Sequence, residues 1–587
     1  MHTYTEDMTL EEQIGQILMV GFWGTTPSPE IIDLIQRYHV GNIILFSRNI
    51  RDARQVLELT QSLQMIAKEA GQRYPLLIAI DQENGIVQRL GEAVTIFPGN
   101  MALGAIFQYP PTDRKRKQAL TSRTSARGRV YTKQPKKSID YAPSKVYPDC
   151  DKEEIAYRVA LATGHELKAL GININLAPVV DVNNNPVNPV IGVRSFGEDP
   201  QQVARLGAAM VKGYHEAGIF SCLKHFPGHG DTAIDSHLAL PTIPYPLERL
   251  EALELVPFRS GIEAGAESVM IAHVSFPALT GQDTLPATLS STIVQGLLRE
   301  QLGFKGIILS DCMEMKAISE TFGTERAAVM ALQAGIDLVL VSHHYAQQRG
   351  SIEEIQAAIR SGELSSQAVQ QTAERVLRLK EGDRKGSPSL SWDDLPTSTT
   401  ISDCIGCEAH RQLQNQAYEL STTLVRNEDG LLPLHLNSGE HIIVLSPQRN
   451  TATMVEDRYY TDDVLVNVIE RYHPDVRLLP VVAGEEAHGG VHRQLSQTTS
   501  EADIFIVATV NAHLDEQQAE LVRYLVSSGR RIIGIAVRNP YDLQAFPELR
   551  TYLVTYEYTR PALVGAVRVI FGNAGARGRL PVKIAGV

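Results

Sequence analysis

Along the first two-thirds of the chain, short unbroken apolar runs alternate with longer stretches in which apolar residues return every three or four positions. The runs lie at residues 17–21, 40–46, 76–81, 172–182, 220–225, 268–273, 306–311 and 337–342. A run that is apolar throughout predicts a strand buried on both faces. The intervening helical periodicity, as in 198–215, 247–264 and 352–379, predicts the connecting helices. Eight such units in series predict an α/β fold of the (β/α)8 barrel type over residues 1–382. Residues 383–402, rich in Ser, Pro, Thr and charge, predict a linker. From 403 to 587, strand-like runs at 441–446, 502–510, 531–537 and 552–556 alternate with helical stretches such as 517–527. These predict a smaller α/β sandwich domain.

One passage breaks this rhythm. Residues 106–150 carry basic clusters (Asp113-Arg-Lys-Arg-Lys117, Pro135-Lys-Lys137) and no apolar periodicity, so they are expected to form a solvated, mostly disordered insertion. The chain as a whole is acidic, with a net charge of −12, which disfavours nucleic acid as a partner. Its N-terminus lacks a basic-then-apolar leader and no window approaches bilayer length, so a cytoplasmic protein without membrane attachment is expected. Five scattered cysteines read as reduced thiols, and the lone Cys404-x-x-Cys407 lacks the second pair or histidine tail of a zinc site. Neither metal nor cofactor is expected.

Candidate chemistry gathers where the apolar runs end: Asp81, Asp181, Lys224, His225, His273, Asp311 and His343. In a (β/α)8 barrel that end carries the active site. The densest cluster is Lys224-His-Phe-Pro-Gly-His-Gly-Asp-Thr-Ala-Ile-Asp-Ser-His237, in which Pro227, Gly228 and Gly230 disfavour a helix and predict a loop. Asp235 and His237 stand two positions apart, close enough in an extended loop for the carboxylate to fix the imidazole tautomer and raise its basicity. Metal ligation by this loop is the weaker reading, because neither Cys partners nor a helical His spacing is present. Asp311 closes the run 306–311, where it suits either a nucleophilic carboxylate or a helix N-cap.

Together, Asp81-Gln-Glu-Asn-Gly-Ile-Val-Gln-Arg89, Phe97-Pro-Gly-Asn-Met-Ala-Leu-Gly104, Leu176-Ala-Pro-Val-Val-Asp-Val182, Arg194-Ser-Phe-Gly-Glu-Asp-Pro200, the Lys224–His237 loop and Leu309-Ser-Asp311 resemble glycoside hydrolase family 3 in its β-N-acetylhexosaminidase branch. The second domain, with Thr423-Leu-Val-Arg-Asn-Glu-Asp-Gly-Leu-Leu-Pro433, resembles the sandwich that follows the barrel in two-domain members. The resemblance implies a retaining exo-glycosidase releasing terminal β-linked N-acetylglucosamine, with Asp311 as nucleophile and His237, polarised by Asp235, as acid/base. It further implies that Asp81, Arg89, Arg194, Lys224 and His225 bind the sugar hydroxyls, with Met270 nearby. A phosphorylase using the same intermediate, a family β-glucosidase or xylosidase, and an inactive sugar-binding protein stay open as alternatives. The chain departs from the family pattern at Asn84, where glycine is usual, at Ile86, where a basic residue is usual, and at Cys312-Met-Glu after the proposed nucleophile.

Overall fold

The computed structural model describes residues 5, 7–107, 151–382, 387–397, 401, 403–437, 439–447, 455–457, 463–481 and 502–586. Eight parallel strands close into a barrel: β1 (Leu18–Val20), β2 (Asn42–Leu45), β3 (Leu77–Ile80), β4 (Ile174–Asn175), β5 (Phe220–Phe226), β6 (Ser268–Ile271), β7 (Ile307–Cys312) and β8 (Leu338–Val341). They pair in sequence order, and β8 closes the ring against β1, with Leu18 opposite Val339 and Met19 opposite Leu340. Met19, Leu309 and Leu340 belong to the cluster filling the barrel interior, whereas Leu18, Val20, Val339 and Val341 belong to the layer beneath the helices. Two buried faces explain why these strands are written as unbroken apolar runs.

The run 172–182 is not one long strand. Only Ile174 and Asn175 pair as β4, and the Asn175 amide completes the edge by accepting from Gln82 N at 3.0 Å and donating to Gln82 O at 2.9 Å. Pro178 then has no N–H to offer the ladder, which resumes as a single bridge between Val179 and Lys224. The stretch expected as one helix over 352–379 is likewise two, Tyr345–Ser361 and Ser366–Glu381. Gly362, at φ +79°, ends the first, and Ser365 caps the second. The expected 247–264 helix also divides, into Leu247–Ala252 and Leu255–Glu263.

The second sheet comprises β9 (Thr423–Asn427), β10 (Ile442–Pro447), β11 (Val476–Val481), β12 (Ile504–Thr509), β13 (Arg531–Ala536) and β14 (Thr551–Val554). Its order is β9-β14-β13-β12-β10-β11, parallel except for the antiparallel edge pair β9 and β14. Neither β9 nor β11 stands out as an apolar run: both are edge strands, and Leu424–Asn427 and Val476–Leu479 stay partly or fully exposed, with an arginine in each. Between the two sheets, helix Glu408–Ser421 contributes Leu413, Ala417 and Leu420 to the barrel's core, although the sequence assigns it to the second domain. The expected insertion lies outside the described residues except for Ile106 and Phe107. Among the described residues, no helix is long and apolar enough to cross a membrane.

Candidate active site

A cavity of about 350 Å³ opens at the carboxyl ends of the barrel strands. Asp81, Arg89, Arg194, Lys224, His225, His237, Met270 and Asp311 all line it. Asp235 stands directly behind His237.

The innermost groups form a network of paired charges. Lys224 Nζ, near the end of β5, bridges Asp81 Oδ1 at 2.7 Å and Glu83 Oε1 at 2.8 Å. Arg194 forks onto Glu83, with Nε and Nη2 each 2.8 Å from a carboxylate oxygen. Arg89 reaches Asp81 at 3.4 Å and Asp457 at 2.9 Å. Burial alone would raise the Asp81 and Glu83 carboxyls, but the adjacent cations hold both below the usual carboxylate range: chiefly Lys224 and then Arg89 for Asp81, chiefly Arg194 and then Lys224 for Glu83. His225 is fixed from behind, its Nδ1 2.8 Å from the fully buried Asp181 carboxylate, which also accepts from His229 N at 2.7 Å.

The loop after β5 is shaped by its own histidines and glycines. Gly230 runs so close to the preceding segment that a Cβ there would meet Val182 O at 1.7 Å. His229 lies within hydrogen-bond distance of Thr232 Oγ1 (2.9 Å) and Ser236 Oγ (3.0 Å), tying together residues on either side of Asp235. Burial, followed by nearby His225, lowers its pKa to about 4, so it serves as a neutral tie. Asp235 Oδ1 accepts both from His237 N at 2.9 Å and from Nδ1 at 2.8 Å. That bond leaves Nε2, which has no protein hydrogen bond among the described residues, as the ring atom available to a ligand.

Asp311 belongs to β7 itself, and the next helix, Lys316–Phe322, is preceded by Met315, so the N-cap reading does not hold. Its neighbours set it apart from the other acids of the cavity. Asp81, Glu83, Glu456 and Asp457 are each paired with Lys or Arg, whereas among the described residues no Lys or Arg lies within ion-pair distance of Asp311. Burial would raise its carboxyl; His273, His225 and His237, with the Cys312 N–H at 2.7 Å, outweigh it and leave the pKa at about 2. Asp311 is therefore an ionised carboxylate not tied up by a cation. His273, also marked by its strand-end position, does not reach the cavity lining; it is wholly buried between Thr288 Oγ1 at 2.7 Å and Cys312 O at 3.0 Å, bracing the end of β7.

Cys312, Glu314 and His343 lie close enough to share a cation. Their chemistry does not suit one: Arg48 Nη1 sits 3.1 Å from His343 Nδ1, and the Glu314 carboxylate is occupied by the N–H groups of Ser342, His343 and His344. Burial, and next Glu314, pushes the Cys312 thiol up to about 12.

Glu83, Trp23, Arg48 and Asp457 also line the cavity and were not singled out from the sequence. Glu83 is carried by the tight antiparallel pair Gln82–Asn84 and Val87–Gln88, whose turn explains one family departure. Asn84 has φ +69° and Gly85 φ +63°, a left-handed conformation that asparagine tolerates better than other side chains. Ile86 joins the apolar core of the second domain, where a basic group would be stranded. Trp23 and Arg48 follow β1 and β2, and Arg48 shares the strand-end signal that marked the others. Asp457 comes from the second domain and had no local signal: it meets Ser47 Oγ (2.8 Å), Gln88 N (3.1 Å) and Arg89 only through contacts more than three hundred residues apart.

The glycosyl hydrolase family 3 N-terminal domain matches residues 9–124 and 142–379, and the family's C-terminal domain matches residues 422–586. The chain belongs to glycosyl hydrolase family 3. This family 3 chain is 31% identical to β-hexosaminidase A of Pseudoalteromonas piscicida, over 98% of its own length and 97% of that protein. It is similar to the solved structure of a family 3 β-N-acetylglucosaminidase from Paenibacillus sp. str. FPU-7, at 36% identity and a TM-score of 0.82, covering 99% of this chain and 100% of that one. It is also similar to a fungal multi-domain family 3 β-N-acetylglucosaminidase carrying a GCN5-related acetyltransferase region, at 40% identity and a TM-score of 0.84. The alignment covers 99% of this chain but spans only 61% of the fungal one. The protein is a glycoside hydrolase.

Proposed function

We propose that this enzyme hydrolyses terminal β-linked N-acetylglucosamine from oligosaccharides or glycoconjugates through a covalent glycosyl-enzyme, and that it does so in the cytoplasm. Asp311 attacks the anomeric carbon. His237 protonates the leaving oxygen and then, as base, takes a proton from the incoming water. Asp235 holds the His237 ring with Nε2 free for both transfers. Asp81, Arg89, Arg194, Lys224 and His225 bind the hydroxyls of the terminal sugar, and Met270 packs near the ring. Charge-assisted hydrogen bonds of this kind strengthen as the ring flattens and charge develops.

The observation that carries the reading is the contrast among the cavity's acids: four are neutralised by Lys or Arg, and Asp311 is ionised with no such partner among the described residues. The two solved family 3 β-N-acetylglucosaminidases to which the chain is similar support the choice of sugar. The test uses a 5-fluoro N-acetylglucosaminyl fluoride inactivator followed by peptide mass spectrometry. A labelled peptide containing Asp311 is expected, together with turnover lost in Asp311→Ala; label on another carboxylate, or unchanged turnover, overturns the assignment.

A further inference from the structure

Two of the chain's five cysteines, Cys404 and Cys407, stand three positions apart just ahead of helix Glu408–Ser421. Cys407 is the residue that opens this helix, at φ −62° and ψ 161°, and its side chain makes no capping hydrogen bond. Cys407 N donates to Cys404 O at 3.3 Å, closing a four-residue turn in which Gly406 takes the left-handed position at φ +60°. A turn of this kind brings its end Cα atoms within about 7 Å, and a disulfide spans about 4.4–6.8 Å.

The two residues between the cysteines are pinned. Ile405 packs against the apolar core of the barrel. Gly406 N donates to Glu166 Oε1 at 3.0 Å. That carboxylate, buried on helix Lys152–Ala169, also lies 2.7 Å from His410 Nδ1 and accepts from Thr95 N at 2.7 Å and Thr95 Oγ1 at 2.6 Å. Thr95 leads into Phe97, whose carbonyl accepts from Gly85 N at 3.3 Å in the turn beside Glu83. The cysteine turn is therefore one side of a buried hub that ties the start of the second domain to a segment supporting the cavity. Both cysteines are partly exposed, within reach of a small reagent, whereas Cys222 is wholly buried. Burial, then Glu166 and Cys407, pushes the Cys404 thiol up to about 11, so Cys407 is the thiol placed to react first.

We propose that Cys404 and Cys407 are a reversible thiol–disulfide pair, oxidised by exchange with a low-molecular-weight disulfide, whose closed form clamps the turn onto Glu166 between the barrel and the second domain. The pair stands apart from the catalytic cavity and does not depend on the glycosidase reading. Cys407 loses its proton and its sulfur attacks one sulfur of the small disulfide. The S–S bond breaks, a mixed disulfide forms on Cys407, and one small thiol leaves with the proton. Cys404 then gives up its proton and attacks the Cys407 sulfur, closing the intramolecular bond and expelling the second small thiol. The protein has lost two hydrogens, and the small disulfide has become two thiols. Excess small thiol drives both steps backward.

Trypsin releases both cysteines on one peptide, Gly386–Arg411, which permits a direct test. The full chain is equilibrated with oxidised glutathione, remaining thiols are alkylated, and the peptide is weighed. The wild-type peptide is expected to be two hydrogens lighter than the dithiol and free of alkyl groups, and to become doubly alkylated when dithiothreitol is added first. In Cys404→Ser, glutathione is expected to stay on Cys407. A wild-type peptide that is alkylated twice, or that keeps glutathione, overturns the pair; a Cys404→Ser peptide without glutathione overturns Cys407 as the attacking thiol. Oxidised wild type is further expected to melt about 2–4 °C above the reduced protein by circular dichroism, a difference that should vanish in Cys404→Ser treated alike. Equal melting of the two wild-type forms overturns the clamp.

Discussion

At the scale of single residues, the site depends on which polar groups are committed to one another. Lys224, Arg194 and Arg89 use their charge to hold Asp81, Glu83 and Asp457, which leaves Asp311, among the described residues, as the cavity acid without a Lys or Arg partner. His237, the proposed proton carrier, is set by one carboxylate that accepts from both its backbone N–H and its ring. A proton donor matters most when the leaving group is poor. His237→Ala is therefore expected to lower kcat/KM for methyl N-acetylglucosaminide by about 10²–10⁴-fold. The loss on the dinitrophenyl glycoside, which needs little protonation, should be far smaller. Steady-state rates on the two substrates check this, and equal losses would remove His237 from the acid/base role. That Asp235 and His237 could meet was legible from their spacing; that Asp311 lacks a cation was not, since it depends on where Lys224, Arg89 and Arg194 are spent.

At the scale of elements, the turn carrying Glu83 shows how a departure in sequence is absorbed by backbone geometry. Asn84 and Gly85 are both left-handed, and a Cβ on Gly85 would lie 2.6 Å from Glu557 Oε2 and 2.7 Å from Gly99 Cα. Asparagine keeps the turn and adds a bond of 3.2 Å from Nδ2 to Thr163 Oγ1. Asn84→Ala, with a Cβ but no compensating amide, is expected to destabilise the protein by about 1–2 kcal/mol, and Asn84→Gly by less. Urea unfolding measures the order of the two variants, and a glycine variant less stable than the alanine one would count against the turn as the cause. The eight strand runs were readable because burial on both faces leaves mostly apolar residues. The short β4 was not, because Asn175 and Pro178 sit inside a run that otherwise looks continuous, and in the edge strands β9 and β11 the apolar run is broken by Arg426 and Arg477.

At the scale of the whole molecule, the second domain is part of the site. Asp457 reaches across to Arg89, Gln88 and Ser47, and Glu557 accepts from Gly99 N at 3.2 Å next to the Asn84–Gly85 turn. Burial raises the Glu557 carboxyl to about 7, against the lowering hydrogen bonds from Tyr418, the Gly99 N–H and Thr559. An acid whose pKa is higher in the fold than unfolded binds its proton more tightly when folded, so this group's contribution to stability falls as pH rises from about 4.5 to about 7 and is level above. Glu557→Gln is expected to remove that slope and to gain about 2 kcal/mol at pH 8 relative to wild type. Urea unfolding of both proteins at pH 5 and pH 8 tests this; an equal pH dependence in the two would show that Glu557 does not titrate between those values.

The sequence alone determined the barrel, the carboxyl-end location of its polar residues and the catalytic-looking loop, because each is written in local patterns of period, turn chemistry and spacing. It also carried the family resemblance that the domain matches establish. Only the tertiary structure decided which acid is left without a cation, that Glu166 holds the turn between Cys404 and Cys407, and that Asp457 completes the wall from another domain. Those facts are pairings between groups tens to hundreds of residues apart. Charge compensation and hydrogen bonding depend on distance in space, which the order of residues does not record until the chain has closed on itself.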